Sequence, residues 1–423
     1  MNVLPDRTPF RESRDFRLLF TSGLITYLGS MMTYVALPFQ IKELTGSYVA
    51  VGILGVVDMV PLIFFGLWGG ALADRMDRRT MVLVTEIGAT LSALLLLLNA
   101  LSRSPSVWLV YAAAFLFTCC SGLQRPSLEG LLPRVVRHEQ LPAASAWMST
   151  RWSITSIIGP AIGGIIIAGP GVAAVYAVDV MSFLMSIAAL FRLRRSPASH
   201  EAALPTVAAI REGGRYARSR PDLMGTYIVD VIAMVFAFPY AVFPFLAQTY
   251  AEPYALGLLY SAGAVGALLV TATSRWTSSV NRHGRMVVFA AVTWGAAIAG
   301  VGLAHNLWLA LLLLAVAGGA DMVSGLFRSL IWNQTIPDQL RGRLAGIEMI
   351  SYSVGPQAGH MRVSLFANWF GLSRALTSGG LLCMFGTTAA AAGLRSFWQY
   401  DVRTNEHAQR EREARASRTT AAD

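Results

Sequence analysis

Charge is scarce in this sequence, and one kind of charge is almost missing. Only 14% of its 423 residues are Asp, Glu, Lys or Arg, where a soluble globular chain carries about 25%. A chain with so little charge must set most of its surface against something other than water. Lysine occurs once, at Lys42, followed by Glu43. The phosphate-binding loop Gly-x-x-x-x-Gly-Lys-Ser/Thr needs a lysine before a hydroxyl residue, so ATP hydrolysis by that route is excluded. The three cysteines, Cys119, Cys120 and Cys383, lie inside apolar stretches. They offer neither a disulfide framework nor metal-ligand spacing and read as small packing residues. No His-Glu-x-x-His, nucleophile elbow or Cys/His cluster appears, so neither an enzyme nor a metal or cofactor is expected.

Apolar residues are abundant: 54% of the chain is hydrophobic, and the mean hydropathy is +0.52. A spanning helix takes about 20 mostly apolar residues. Twelve stretches qualify, at 16–41, 48–73, 80–101, 106–132, 143–168, 171–192, 224–250, 254–274, 286–304, 307–331, 345–369 and 372–394. The first is too long, and lacks the small-residue cleavage site, to be a removable leader, so it is expected to stay as a span. Internal prolines such as Pro61, Pro160, Pro239, Pro244 and Pro356 are tolerable where neighbouring helices satisfy the freed backbone. The expected class is an all-α membrane protein.

The net charge of +10 does not point to nucleic acid, because the arginines sit between the apolar runs. Alternate loops are rich in them: Arg7 to Arg17 before the first span, then Arg75, Arg78 and Arg79, then Arg134 and Arg137. The longest loop carries Arg192 to Arg220; Arg275, Arg282 and Arg285, and Arg341 and Arg343, follow later. The intervening loops carry almost nothing. By the positive-inside rule both termini and the long central loop are cytoplasmic, in an inner or plasma membrane. The end from Arg395 onward reads as a solvated helix or a disordered tail.

The long loop divides the chain into an N-terminal half (1–192), a central loop (193–223), a C-terminal half (224–394) and a tail (395–423). The halves repeat each other. Ser121-Gly122-Leu123-Gln124-Arg125 answers Ser324-Gly325-Leu326-Phe327-Arg328, and Gly159-Pro160 answers Gly355-Pro356. Two pseudo-symmetric six-helix bundles around a midplane site suit alternating access, one half rocking against the other. One chain then contains both rocking halves, so a monomer is expected.

Gly69-Gly70-Ala71-Leu72-Ala73-Asp74-Arg75-Met76-Asp77-Arg78-Arg79 resembles the loop signature of the major facilitator superfamily, with Asp77 where glycine is usual. The resemblance implies a charge latch made by Asp74, Arg75, Arg78 and Arg79; the matching loop at 274–285 keeps its arginines but lacks the aspartate. Gly159, Pro160, Gly163 and Gly164 resemble the antiporter motif of exporters in that superfamily. With Arg125-Pro126-Ser127, Val178-Asp179-Val180-Met181-Ser182-Phe183 and the ending Phe397-Trp398-Gln399-Tyr400-Asp401, the chain is similar to the enterobactin-exporter-like branch, described as transmembrane secretion effectors. That similarity covers about residues 14–401. It implies the twelve-helix major facilitator fold and proton-coupled efflux of small amphiphiles such as siderophores or drugs.

Ionisable residues inside spans are costly and suggest function. Asp58 and Asp321 lie deepest and are the proton-carrier candidates, since a carboxyl in a low dielectric loads and releases protons near neutral pH. Glu86, Glu129, Asp179, Asp230 and Glu348 lie nearer the cytoplasmic ends. Arg125 and Arg328 are expected to snorkel to the interface, and Glu129 to neutralise Arg151. In the resembled fold spans two and eleven face each other, which implies a gate pair of Asp58 and Arg362. Spans one, four, seven and ten there line the substrate cavity, here with Tyr27, Met31, Tyr34, Phe117, Tyr227, Phe236 and Met322, an adaptable Met/aromatic set. The expected partners are a small-molecule substrate, protons and the bilayer. A proton-coupled importer and a non-transporting sensor or scaffold remain the alternatives.

Overall fold

The computed structural model describes residues 6–75, 77–194 and 214–420; the side chains of 66–75, 129, 338–339, 341–343, 345–350, 352 and 414–420 lie outside that description. Every regular element among the described residues is helical. The spans are α1 (Arg14–Thr45), α2 (Tyr48–Arg75), α3 (Arg78–Leu101), α4 (Val107–Val135), α5 (Leu141–Ala168) and α6 (Val172–Leu190). They continue with α7a (Pro221–Ala237), α7b (Phe243–Tyr250), α8 (Ala255–Ala272), α9 (His283–Val301), α10 (Leu307–Thr335), α11 (Asp338–Phe370) and α12 (Leu372–Gly393). Among the described residues eleven spans meet the length and hydropathy needed to cross a bilayer. The 33-residue α11 contains the twelfth expected one.

The seventh span departs from expectation. It is not one helix over 224–250 but is broken after Ala237, with a short turn of 3₁₀ helix at Tyr240–Val242 before α7b. Phe238 precedes Pro239 and takes an extended backbone, φ −86° and ψ 112°. Steric conflict with the proline ring drives a preceding residue out of the helical region, and Pro239 also lacks the N–H that would continue the ladder.

The chain forms two compact units: Met1–Leu204 with Phe243–Ser261, and Pro205–Val242 with Ala262–Asp423. In the first, α1 packs on α5 and α6, and α3 packs on α4 and α6. In the second, α7a packs on α11 and α12, and α9 packs on α10 and α12. The same pairings recur, as the sequence repeat requires. Large apolar side chains cover the outside, among them Leu98, Ile165, Leu269, Leu312 and Phe385, a surface suited to lipid rather than water. Trp108, Trp308 and Trp369 are exposed at the arginine-poor ends of α4, α10 and α11, where interfacial tryptophans anchor a span.

The tail does not begin as the solvated end expected from its charge. Phe397 and Tyr400 are fully buried in the second unit, in a core with Leu223, Val287, Phe327 and Ile331. The Val402 N–H donates to the Asn281 carbonyl (3.1 Å), and Ala408, in the helix α13 (Glu406–Thr420), is buried. The aromatic pair outweighs the charges around it. At the turn between them the Arg403 side chain holds the Asp401 carboxyl down at about 2.

Close backbone approach fixes one crossing in the first unit. A Cβ on Gly164 of α5 would lie 2.5 Å from the Cα of Gly257 of α8, and one on Gly257 would lie 2.7 Å from the Pro160 carbonyl oxygen. Small residues are what allow such packing in lipid. Gly164→Val is expected to cost about 1–3 kcal/mol by overpacking, read as a lower unfolding temperature in detergent. The neighbouring lipid-facing change Ile165→Val, at a site 62% exposed, is expected to leave that temperature unchanged.

Candidate functional site

In the first unit Asp58 sits eleven residues into α2, half-buried, where Thr118 of α4 donates to its Oδ1 (2.8 Å). A threonine hydroxyl can donate to a carboxylate or accept from a carboxylic acid, so this contact survives a change of protonation. Of the loop signature, the side chains of Asp74 and Arg75 lie outside the described residues. Asp77 caps α3, accepting from the Thr80 N–H (2.9 Å) and hydroxyl (3.1 Å), which explains the acid at that position. Arg79 donates through Nε and Nη2 to the carbonyls of Leu190 (3.2 Å) and Phe191 (2.6 Å). A helix leaves its last carbonyls without partners, and a cation there also meets the negative end of the dipole. Arg78 lies against Gly130 of α4.

The residues of the span-five motif face two ways. Gly159 and Gly163 lie against Met31 and Met32 of α1, while Pro160 and Gly164 approach Gly257. Met31 is thus packed on the motif itself. Tyr27 stands edge-on to Trp152, 5.8 Å between ring centres, under the Arg151 guanidinium at 4.9 Å. Arg151 also donates to the Leu19 carbonyl (3.4 Å); its expected partner Glu129 lies outside the described side chains. Tyr34 is partly exposed and edge-on to Tyr260. Phe117 packs on Phe183 beside Ala89 and Ala93.

The second unit holds a buried ion pair. Arg328 of α10 pairs with Asp230 of α7a, their side chains 8% and 2% exposed, and Ser351 of α11 donates to the other oxygen of Asp230. The guanidinium lies over the Trp332 ring at 5.9 Å; Trp332 Nε1 donates to Thr226 (2.8 Å) and its ring stacks on Tyr227. Arg328 therefore does not snorkel as expected. The reason is a partner: α7a carries Asp230, whereas α1, the matching helix of the first half, has no acid between Asp15 and Glu43. Arg125, its sequence counterpart, is exposed.

Asp321 lies two turns from Arg328 on the same helix, within electrostatic reach of Arg328, Asp230 and Tyr240. Arg328 is thus faced by two carboxyls, one bound and one close. Its neighbour Met322 is half-buried. Arg362 of α11 donates to the Phe236 carbonyl and to that of Ala375 (3.4 Å). Phe236 lies in the last turn of α7a, where the break removes the N–H its carbonyl would meet, and the arginine replaces it. The expected gate residues Asp58 and Arg362 thus each have hydrogen-bond partners inside their own unit. Asp230 was legible as an acid but not as the partner of Arg328; the signal was opposite charges within the matched spans seven and ten.

Removing one member of a buried pair strands the other in a low dielectric. Asp230→Asn or Arg328→Gln is therefore expected to destabilise the protein by about 3–5 kcal/mol, measured by thermal unfolding in detergent. The double variant Asp230→Leu with Arg328→Met is expected to recover more than half of the loss. Additive losses would instead mean that the pair contributes nothing as a pair.

The comparisons with known proteins agree with this architecture. The profile of the family described as transmembrane secretion effector matches residues 6–416. Enterobactin exporter EntS of Salmonella typhi is 27% identical over 335 residues, 78% of this chain and 80% of that protein. The same exporter of Escherichia coli O81 is 27% identical over 334 residues, again 78% and 80%. A POT family transporter solved in complex with 5-aminolevulinic acid superposes with a TM-score of 0.73 at 11% identity, covering 93% of this chain and 99% of that one. A bacterial homologue of the iron transporter ferroportin, in an inward-facing state, gives 0.67 at 14% identity, covering 90% and 99%. These structural likenesses carry the fold, and the family match carries the assignment. The chain is a multi-pass membrane transporter of the major facilitator superfamily and belongs to its transmembrane secretion effector family.

Proposed function

We propose that this transporter exports small amphiphilic molecules, siderophore-like or drug-like, out of the cytoplasm in exchange for protons. The observation that carries the reading is the Asp321, Arg328 and Asp230 cluster. With Asp321 protonated, the Arg328 charge is balanced by Asp230 alone. With Asp321 ionised, the same guanidinium faces two negative charges in a low dielectric, where a single uncompensated charge is costly. Loading and unloading one proton therefore changes the charge balance at the packing of α7a, α10 and α11, and an alternating-access transporter needs such a bias. Asp58 with Thr118 supplies the corresponding group on α2.

Export rather than import is supported by the exporter relatives and by the glycines of α5, which bring that helix close to α1 and α8. The sparse charge of the intervening loops puts both termini and the long central loop in the cytoplasm, in the cell membrane. Tyr34 in the first unit and Met322 in the second are incompletely buried side chains of the adaptable kind that suits ligands of varied shape. A small-molecule substrate, protons and the bilayer are the partners in this reading, and a single chain is the transporting unit.

The test is export of a panel of dyes, antibiotics and catecholate siderophores from cells making wild type, Asp58→Asn or Asp321→Asn at matched levels, with and without a protonophore. Wild-type export is expected to stop with the protonophore, and either variant to fall to the level of cells lacking the protein. Export that persists with the protonophore sinks proton antiport. Accumulation in place of export makes the chain an importer.

A further inference from the structure

The proposed mechanism leaves two buried acids of the first unit unused. Glu86 on α3 and Asp179 on α6 are 5% and 1% exposed. Asp179 Oδ2 accepts from the Thr33 hydroxyl of α1 (2.5 Å), and its Oδ1 lies 3.3 Å from Ser182 Oγ. Glu86 Oε1 accepts from Ser186 (3.1 Å), while its Oε2 is buried with no hydrogen-bond partner. The Gln124 side chain of α4 also reaches the same carboxyl as a hydrogen-bond donor. Ser182, Ser186 and Asp179 are spaced three and four residues apart, so they share one face of α6.

No cation compensates either acid among the described residues. Arg79, at the end of α3, is committed to the Leu190 and Phe191 carbonyls, and Arg151 of α5 to Leu19 and Tyr27. The other titratable groups facing this region are Cys120 of α4, packed on Gly88 of α3, and Tyr176 of α6, whose hydroxyl donates to Gln40 (2.7 Å). Asp58 of α2 is held by Thr118. None of these carries a positive charge to the two acids.

The Ser182 hydroxyl lies within reach of both the Asp179 main-chain carbonyl (2.7 Å) and Oδ1 (3.3 Å). A hydroxyl so placed donates to an ionised carboxyl or, with its hydrogen on the main chain, accepts from a protonated one. Space has been made for the arrangement: a Cβ on Gly29 of α1 would lie 2.5 Å from both Asp179 Oδ1 and Ser182 Oγ.

The register adds a direction. Arg79 ties the arginine-bearing ends of α3 and α6 level with each other. From that end Glu86 lies about 12 Å along α3, and Asp179 about 16 Å along α6, at 1.5 Å per residue. On the same scale Ser182 lies level with Glu86, and Ser186 about 6 Å from that end.

We infer that Glu86 and Asp179 are a proton-binding site inside the first unit, each acid met by a hydroxyl of one face of α6, Ser186 at Glu86 and Ser182 at Asp179, and filled from the arginine-bearing side. As part of antiport it rests on the function proposed above; as a site that holds protons it does not. Each acid takes up one proton as it leaves water, its O–H replacing the missing cation. The proton returns to solvent when water reaches the Glu86 carboxyl.

The experiment uses the purified full chain in detergent, as wild type, Glu86→Gln, Asp179→Asn and the double variant. Infrared spectra in water and heavy water are expected to show a deuterium-sensitive protonated-carboxyl band at neutral pH. That band shrinks in each single variant and shrinks further in the double. A site that holds protons in the folded protein makes wild-type stability fall as pH rises, and that slope is the expected result. The amide variants, neutral at every pH, are expected to lose that slope while keeping wild-type stability at neutral pH. Difference spectra showing only ionised carboxylates, or a pH slope unchanged in both variants, overturn the site. So does stabilisation of the wild type by sodium at constant pH that both variants lose, which would make the ligand a metal cation. If a variant does not fold at neutral pH, Ser186→Ala is the second probe, and an unshifted carboxyl band there overturns the site. Protonophore-insensitive export with these bands present sinks antiport but leaves the proton site standing.

Discussion

A polar group inside the bilayer has no water to turn to, and this one constraint organises the molecule. Its cost, several kcal/mol for an unsatisfied group in an apolar medium, is met differently at each place where the chain needs polarity. Arg79 fills the carbonyls at the end of α6, Arg362 fills the carbonyl that the broken seventh span leaves open, and Arg328 is neutralised by Asp230. Three arginines thus do three separate jobs. In two of them the acceptor is backbone, which no pairing of charges in the sequence would suggest.

The break in α7 shows how a local rule is kept only because tertiary structure supports it. Pro239 dictates that the helix stop, and Phe238 is extended as a consequence. In water the freed carbonyls would be solvated at little cost. Here the stop is viable because α11 brings Arg362 to Phe236, so residues more than a hundred positions apart make one structural feature. The C-terminal segment follows the same logic at the arginine-bearing end. Its charge suggests a solvated tail, yet Phe397 and Tyr400 close the core beneath α7a, α9 and α10. Burial of two aromatic rings decides where the chain goes, and the charged residues follow.

The spans, their loops and the repeat were legible because each is written in consecutive residues: a run of apolar side chains, a cluster of arginines, a matched Ser-Gly-Leu and Gly-Pro. The deep position of Asp58 and Asp321 followed from counting along a helix. What was not legible depends on which faces of two helices meet. Arg125 and Arg328 occupy equivalent places in the repeat, and their neighbouring residues do not show which helix each will face. Their fates differ because an acid stands on α7a and none on α1. Likewise Asp77 looked like a defect in a glycine position until the structure showed it capping α3. Glu86 and Asp179 looked shallow when measured from the loops, although both are almost wholly buried.

The two units share a set of helix pairings but not a distribution of charge, and the difference bears on how protons would be used. In the second unit two acids surround one arginine, so one proton decides whether the cluster is neutral or negative, and the arginine keeps the ionised form accessible. In the first unit Glu86 and Asp179 have hydroxyls as partners and, among the described residues, no arginine beside them. An acid beside a fixed cation exchanges its proton readily; an acid among hydroxyls retains it until water enters. The halves share their helix pairings, but the acids stand on non-equivalent helices, Glu86 and Asp179 on α3 and α6 and Asp230 and Asp321 on α7a and α10.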